Sequence, residues 1–102
     1  MIWFHACSVG ELRSIIPIIQ NLEENKKINN ILVTTSTLSS SKVYSKYSFK
    51  KTIHQFFPID TNYFTKKFLN YWRPSKIIFV ESEIWPNMLL NIKKRKIPLI
   101  LL

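Results

Sequence analysis

A chain of 102 residues that is 46% hydrophobic carries enough apolar side chains for the core of one small domain, which excludes a disordered tail. Fifteen Lys and Arg against six Asp and Glu leave a net charge of +9, suited to a nucleic acid, an anionic membrane surface or a phosphorylated substrate, although genomic base bias also explains a chain rich in Lys, Asn and Ile. No apolar stretch reaches the roughly 18 residues of a membrane span, no signal peptide opens the chain, and the single cysteine, Cys7, rules out an internal disulfide and fits a reducing compartment.

The run Ile2 to Cys7 predicts a first buried strand. Within it His5 reads as a hydrogen-bonded core histidine, and Cys7 as a packed or strand-end thiol rather than a nucleophile. Ser8-Val9-Gly10-Glu11 follows, where strand turns into helix; Leu12, Ile15, Ile16, Ile19 and Leu22 paint one face of that helix, and Arg13, Glu23 and Lys26 the other. Ser8-x-x-Glu11 spells a capping box, and spacing alone favours that role over chemistry for Glu11. Gly10, the only glycine, fits either close approach of a substrate to the backbone or strain at the turn.

Asn30 to Thr35 predicts the second strand, and the Ser- and Lys-rich stretch Leu38 to Phe49 a shorter helix entered through a polar loop. Ile53 to Phe57 predicts the third strand. Asp60 then reads as the N-cap of a helix carrying Phe64, Phe68, Tyr71 and Trp72. Lys76 to Val80 predicts the fourth strand, with Glu81 and Glu83 just past it; Trp85, Met88, Leu89 and Ile92 mark a fourth helix, with Pro86 in its first turn and Glu83 favouring its positive end. Ile97 to Leu102 predicts the fifth strand. His54 has no metal-like partner at helical spacing, and no metal site is expected.

Strand and helix alternating every 20 to 30 residues predict an α/β fold with a Rossmann-like parallel sheet. Met1 leads straight into a strand and Leu102 closes the chain inside an apolar run, so the expectation is a fragment or truncated reading frame of something larger. The basic groups Lys26-Lys27, Lys50-Lys51, Lys66-Lys67 and Lys93-Lys94-Arg95-Lys96 are expected mostly at helix ends, where cations complement the helix dipole. A rival reading is a nucleic-acid-binding module whose stacking platform would use Tyr44, Tyr47 and Phe49 beside lysines; the helical spacing of the remaining aromatics argues against it.

Four segments in order, Trp3-Phe4-His5-Ala6-Cys7-Ser8-Val9-Gly10-Glu11, Leu32-Val33-Thr34-Thr35-Ser36-Thr37, Phe57-Pro58-Ile59-Asp60 and Val80-Glu81-Ser82-Glu83-Ile84-Trp85-Pro86-Asn87, resemble successive motifs of the 3-deoxy-D-manno-octulosonic acid (Kdo) transferases. The resemblance spans almost all of residues 1–102. It implies the N-terminal, acceptor-side half-domain of a glycosyltransferase-B fold, without the family's membrane anchor and CMP-binding C-terminal domain. The implied reaction is inverting transfer of Kdo from CMP-Kdo to the tetraacyl disaccharide bisphosphate precursor of lipid A (lipid IVA), in lipopolysaccharide synthesis at the cytoplasmic face of the inner membrane. By the same resemblance Glu11 is the general base, Glu81 stabilises the transition state or orients the acceptor, Ser8 and Gly10 line the acceptor site, and no metal or other cofactor takes part. The implied partners are the lipid A precursor, the anionic membrane and a donor domain supplied elsewhere, with no nucleic acid; peripheral attachment is expected, and the chain alone is expected to be inactive. The remaining alternative is a non-functional product of a truncated or split gene.

Overall fold

The computed structural model of the protein describes residues 1–80 and 85–102. Its elements alternate strictly: β1 (Ile2–Ala6), α1 (Val9–Glu23), β2 (Ile31–Thr35), α2 (Leu38–Tyr44), β3 (Thr52–Phe56), α3 (Asn62–Trp72), β4 (Lys76–Val80), α4 (Pro86–Lys94) and β5 (Leu99–Leu101). The strands form one parallel sheet in the order β3-β2-β1-β4-β5. From β1 the chain steps outward through β2 to β3, then returns to the opposite side of β1 for β4 and β5. Crossovers of one hand then put the helices on opposite faces before and after that return.

The period-two alternation of β1 serves both faces. Phe4 and Ala6 point toward α1, joining Leu12, Ile15, Ile16, Ile19, Ile31 and Val33 in one cluster. Trp3 points the other way, into a cluster with Leu32 of β2, Ile77 and Phe79 of β4, Leu69 of α3, and Met88 and Ile92 of α4. The central strands β1 and β2 are therefore buried on both faces, whereas β3 and β5 lie at the edges and are half exposed.

Helix boundaries follow local chemistry. Ser8 caps α1, Thr37 caps α2 and Thr61 caps α3, each through a side-chain oxygen that accepts the N–H three residues on. Asp60 is therefore not the N-cap of α3, as the sequence had predicted. Its carboxylate reaches across to α4, where Oδ2 accepts from Asn87 N–H (3.1 Å) and Oδ1 from Met88 N–H (2.8 Å), while Asn87 Nδ2–H donates back to the Asp60 carbonyl (2.8 Å). The reason is that Trp85 offers no side-chain cap and Pro86 fills the first helical position, leaving the next two amides to an outside acceptor. With the one glycine spent in α1, positive φ falls to Arg73 (48°) at the end of α3 and Lys96 (56°) just past α4.

The fifth strand is shorter than predicted, since the turn after α4 takes up residues through Pro98. Lys66-Lys67 sits in the middle of α3 rather than at an end, while Lys93 and Lys94 occupy the last turn of α4. At the far end of α1, Glu23 accepts from Lys50 N–H, Lys51 N–H and Thr52 Oγ1–H, tying that helix to the start of β3. Desolvation alone would raise its pKa; the hydrogen bonds from Thr52, Lys50 and Lys51, with the Lys51 charge, lower it overall.

Candidate functional site

In an open parallel sheet, ligands collect beyond the carboxyl ends of the strands where the strand order reverses. Here that point lies between β1 and β4, which end side by side with Ala6 paired to Val80. Glu11 stands there, in the first turn of α1. The predicted capping box is present: Glu11 N–H donates to Ser8 Oγ (3.2 Å), and Glu11 Oε1 accepts from Ser8 N–H (3.3 Å). A shorter bond adds to it, from Cys7 N–H to the same Oε1 (2.8 Å). Both backbone donors fall on one carboxylate oxygen, and Oε2 has no hydrogen bond among the described residues. The capping box therefore engages one carboxylate oxygen of Glu11 and leaves the other without a hydrogen bond among the described residues.

Ser8 is exposed beside this carboxylate, its Oγ already accepting the Glu11 amide. Gly10 is the second helical residue, with no positive φ, so the strain reading is corrected. Among the described residues, a side chain at this position would meet nothing nearer than Ser8 Oγ at 4.0 Å. Glu81 and Glu83 lie outside the described residues.

Behind the site runs a buried polar chain. Trp3 Nε1–H donates to Thr34 Oγ1 (2.9 Å), which bonds His5 Nδ1 (2.8 Å), and His5 Nε2 lies 3.2 Å from Cys7 Sγ. His5 is thus the hydrogen-bonded core histidine expected of it. Burial drives its pKa down to about 4, against a smaller raising effect of a backbone bond to Thr34. The neutral ring must donate through one nitrogen and accept through the other, so its Thr34 and Cys7 contacts take opposite roles. Cys7 is buried just past β1, with Ser36 Oγ 3.6 Å from its sulfur. On the opposite face His54 Nε2 bonds Thr35 Oγ1 (2.8 Å) and stacks on Tyr44, and burial lowers its pKa too.

The aromatics of the nucleic-acid reading are committed to packing. Tyr44, Tyr47 and Phe49 lie against the α1 cluster, Tyr47 and Phe49 stacked on each other, and the Tyr44 hydroxyl donates to the Thr52 carbonyl. Burial, then the Glu23 charge, pushes the Tyr44 phenol up to about 12.

The amino-terminal model of the family described as 3-deoxy-D-manno-octulosonic-acid transferase (kdotransferase) matches residues 1–102. The chain is 41% identical over 102 residues to a probable mitochondrial 3-deoxy-D-manno-octulosonic acid transferase of Arabidopsis thaliana, covering all of this chain and 23% of the relative. It is 44% identical over 86 residues to the 3-deoxy-D-manno-octulosonic acid transferase of Rickettsia felis, covering 84% of this chain and 18% of that one. To the transferase of that name from Haemophilus influenzae it is 29% identical over 100 residues, 98% of this chain and 23% of the relative. The chain spans about a fifth of the length of these relatives.

Proposed function

The chain belongs to the 3-deoxy-D-manno-octulosonic-acid (Kdo) transferase family, and from that premise we propose that it is the acceptor side of a glycosyltransferase in which Glu11 is the general base. The observation that carries this reading is a carboxylate at the sheet's switch point with one oxygen held by two backbone amides and the other unclaimed among the described residues. In the proposed reaction Oε2 takes the proton of an acceptor hydroxyl as the acceptor's own oxygen bonds the anomeric carbon of Kdo. The bond from that carbon to CMP breaks on the opposite face, inverting the centre, and CMP leaves with the electron pair. Lipid IVA is the proposed acceptor and CMP-Kdo the donor, held by a second domain of the glycosyltransferase-B type. Glu81 is proposed to orient the acceptor or stabilise the transition state, and Ser8 and Gly10 to border the acceptor. No metal or cofactor enters the proposed step.

The test separates base from cap. In Glu11→Gln the amide oxygen still accepts from Cys7 and Ser8, so the fold stays while the proton acceptor is lost. With the donor domain of a relative supplied, transfer should fall about 10²- to 10⁴-fold, and the isolated chain should transfer nothing. An unchanged rate returns Glu11 to capping alone.

We place the protein peripherally on the cytoplasmic face of the inner membrane. Among the described residues no helix is long and apolar enough to cross a bilayer, whereas α3 exposes Tyr63, Phe64 and Tyr71 around Lys66 and Lys67, with Ile59 exposed just ahead of it. Rings and lysines so mixed suit a lipid headgroup layer, each cation adding about 1 kcal/mol near an anionic surface. Binding to vesicles should rise with anionic lipid and fall with salt; indifference to both refutes the placement.

A further inference from the structure

The sequence predicts a short Ser- and Lys-rich helix over Leu38 to Phe49 and does not tell its serines apart, yet the structure buries Ser40 completely while Ser39 is exposed. Its hydroxyl donates to the Cys7 carbonyl (3.2 Å), across 33 positions of sequence. The hydroxyl of Thr37 is 2.7 Å from Ser40 Oγ and 3.5 Å from the same carbonyl, and accepts the Ser40 N–H (3.1 Å). The Cys7 carbonyl and the Ser8 N–H belong to one rigid peptide plane. One edge of that plane is gripped by Ser40; the other gives its proton to Glu11 Oε1 (3.3 Å). Turning this plane moves both ends at once.

We propose that Ser40 is a positioning residue for the Glu11 carboxylate, acting through the Cys7–Ser8 peptide group. Bonds aligned across a peptide unit polarise one another, so the hydroxyl at the carbonyl strengthens the amide's hold on the carboxylate. Geometry adds to this, because the plane's tilt sets where Oε1 is anchored and so where Oε2 faces. The inference rests on the reading of Glu11 as base only for its consequence for rate.

Two measurements test it. In the 102-residue chain, the amide protons of Cys7 and Ser8 should shift with pH in the NMR spectrum as the carboxylate they bind ionises. Ser40→Ala should cut that response at least by half at Ser8, with Ser40→Thr restoring it and Ser40→Cys, of similar volume and weaker as a donor, falling between. With a donor domain supplied, Ser40→Ala should lower kcat about tenfold with donor KM unchanged. A Ser8 response equal to wild type in both Ser40→Ala and Ser40→Cys overturns the proposal whatever the rate. A halved response with full transfer activity supports the positioning and refutes only its consequence for rate, since Glu11 keeps the shorter bond from Cys7 N–H and its role as base is decided by Glu11→Gln.

Discussion

Acidification should destabilise this protein through His5. Its ring is enclosed by Phe57, Phe79 and Trp85, its Thr34 and Cys7 contacts are uncharged, and its pKa is lowered from 6.5 to about 4. Between those values the unfolded chain binds a proton that the folded chain refuses. Stability is therefore fully present above pH 6.5 and is lost as pH falls toward 4. At about 1.4 kcal/mol per unit over roughly 2.5 units the loss approaches about 3.5 kcal/mol, a sizeable part of the 5–15 kcal/mol typical of a domain. With a urea m-value of roughly 1.5 kcal/mol/M, the unfolding midpoint should drop by about 2 M. The assay is urea unfolding followed by tryptophan fluorescence from neutral pH down to about pH 4.5, on wild type and His5→Phe, whose ring suits the aromatic surroundings and carries no proton. His54 adds a loss of the same sign, while that of Glu23 comes only below its ordinary carboxylate value, so the His5 share is the difference in slope between the two proteins. Equal slopes, or a His5 ring that titrates at 6.5 or above by NMR, would refute the reasoning.

Two further substitutions test how the helix ends are held. Asp60→Ala should strip the first-turn amides of α4 of their acceptor and cost about 1–2 kcal/mol in chemical denaturation, with Asp60→Asn milder; no loss would mean that water replaces the cap without penalty. Lys96→Gly should stabilise by roughly 0.5–1 kcal/mol, because the positive φ there strains any side chain by more than the added backbone entropy of glycine. A lower thermal midpoint in Lys96→Gly would show that the lysine side chain contributes more than the strain.

What could be seen in the sequence was whatever acts over a few residues. The apolar run Ile2 to Cys7 and the spacing Leu12, Ile15, Ile16, Ile19 are signatures of a buried strand and of a helix with one apolar face, so the βαβ order was visible without coordinates. The Ser8–Glu11 box was legible for the same reason, its partners being three residues apart. Glu11 as a site residue came from the motif resemblance, since spacing alone favoured capping. Tertiary structure alone decided which carboxylate oxygen is anchored, that Asp60 caps a helix 27 positions away, that Ser40 rather than Ser39 turns inward, and that His5 lies among the rings of Phe57, Phe79 and Trp85. Each of these depends on a contact between distant segments. Periodicity tells which face of an element is apolar, but a hydrogen bond exists only once the packed sheet has put donor and acceptor within about 3 Å.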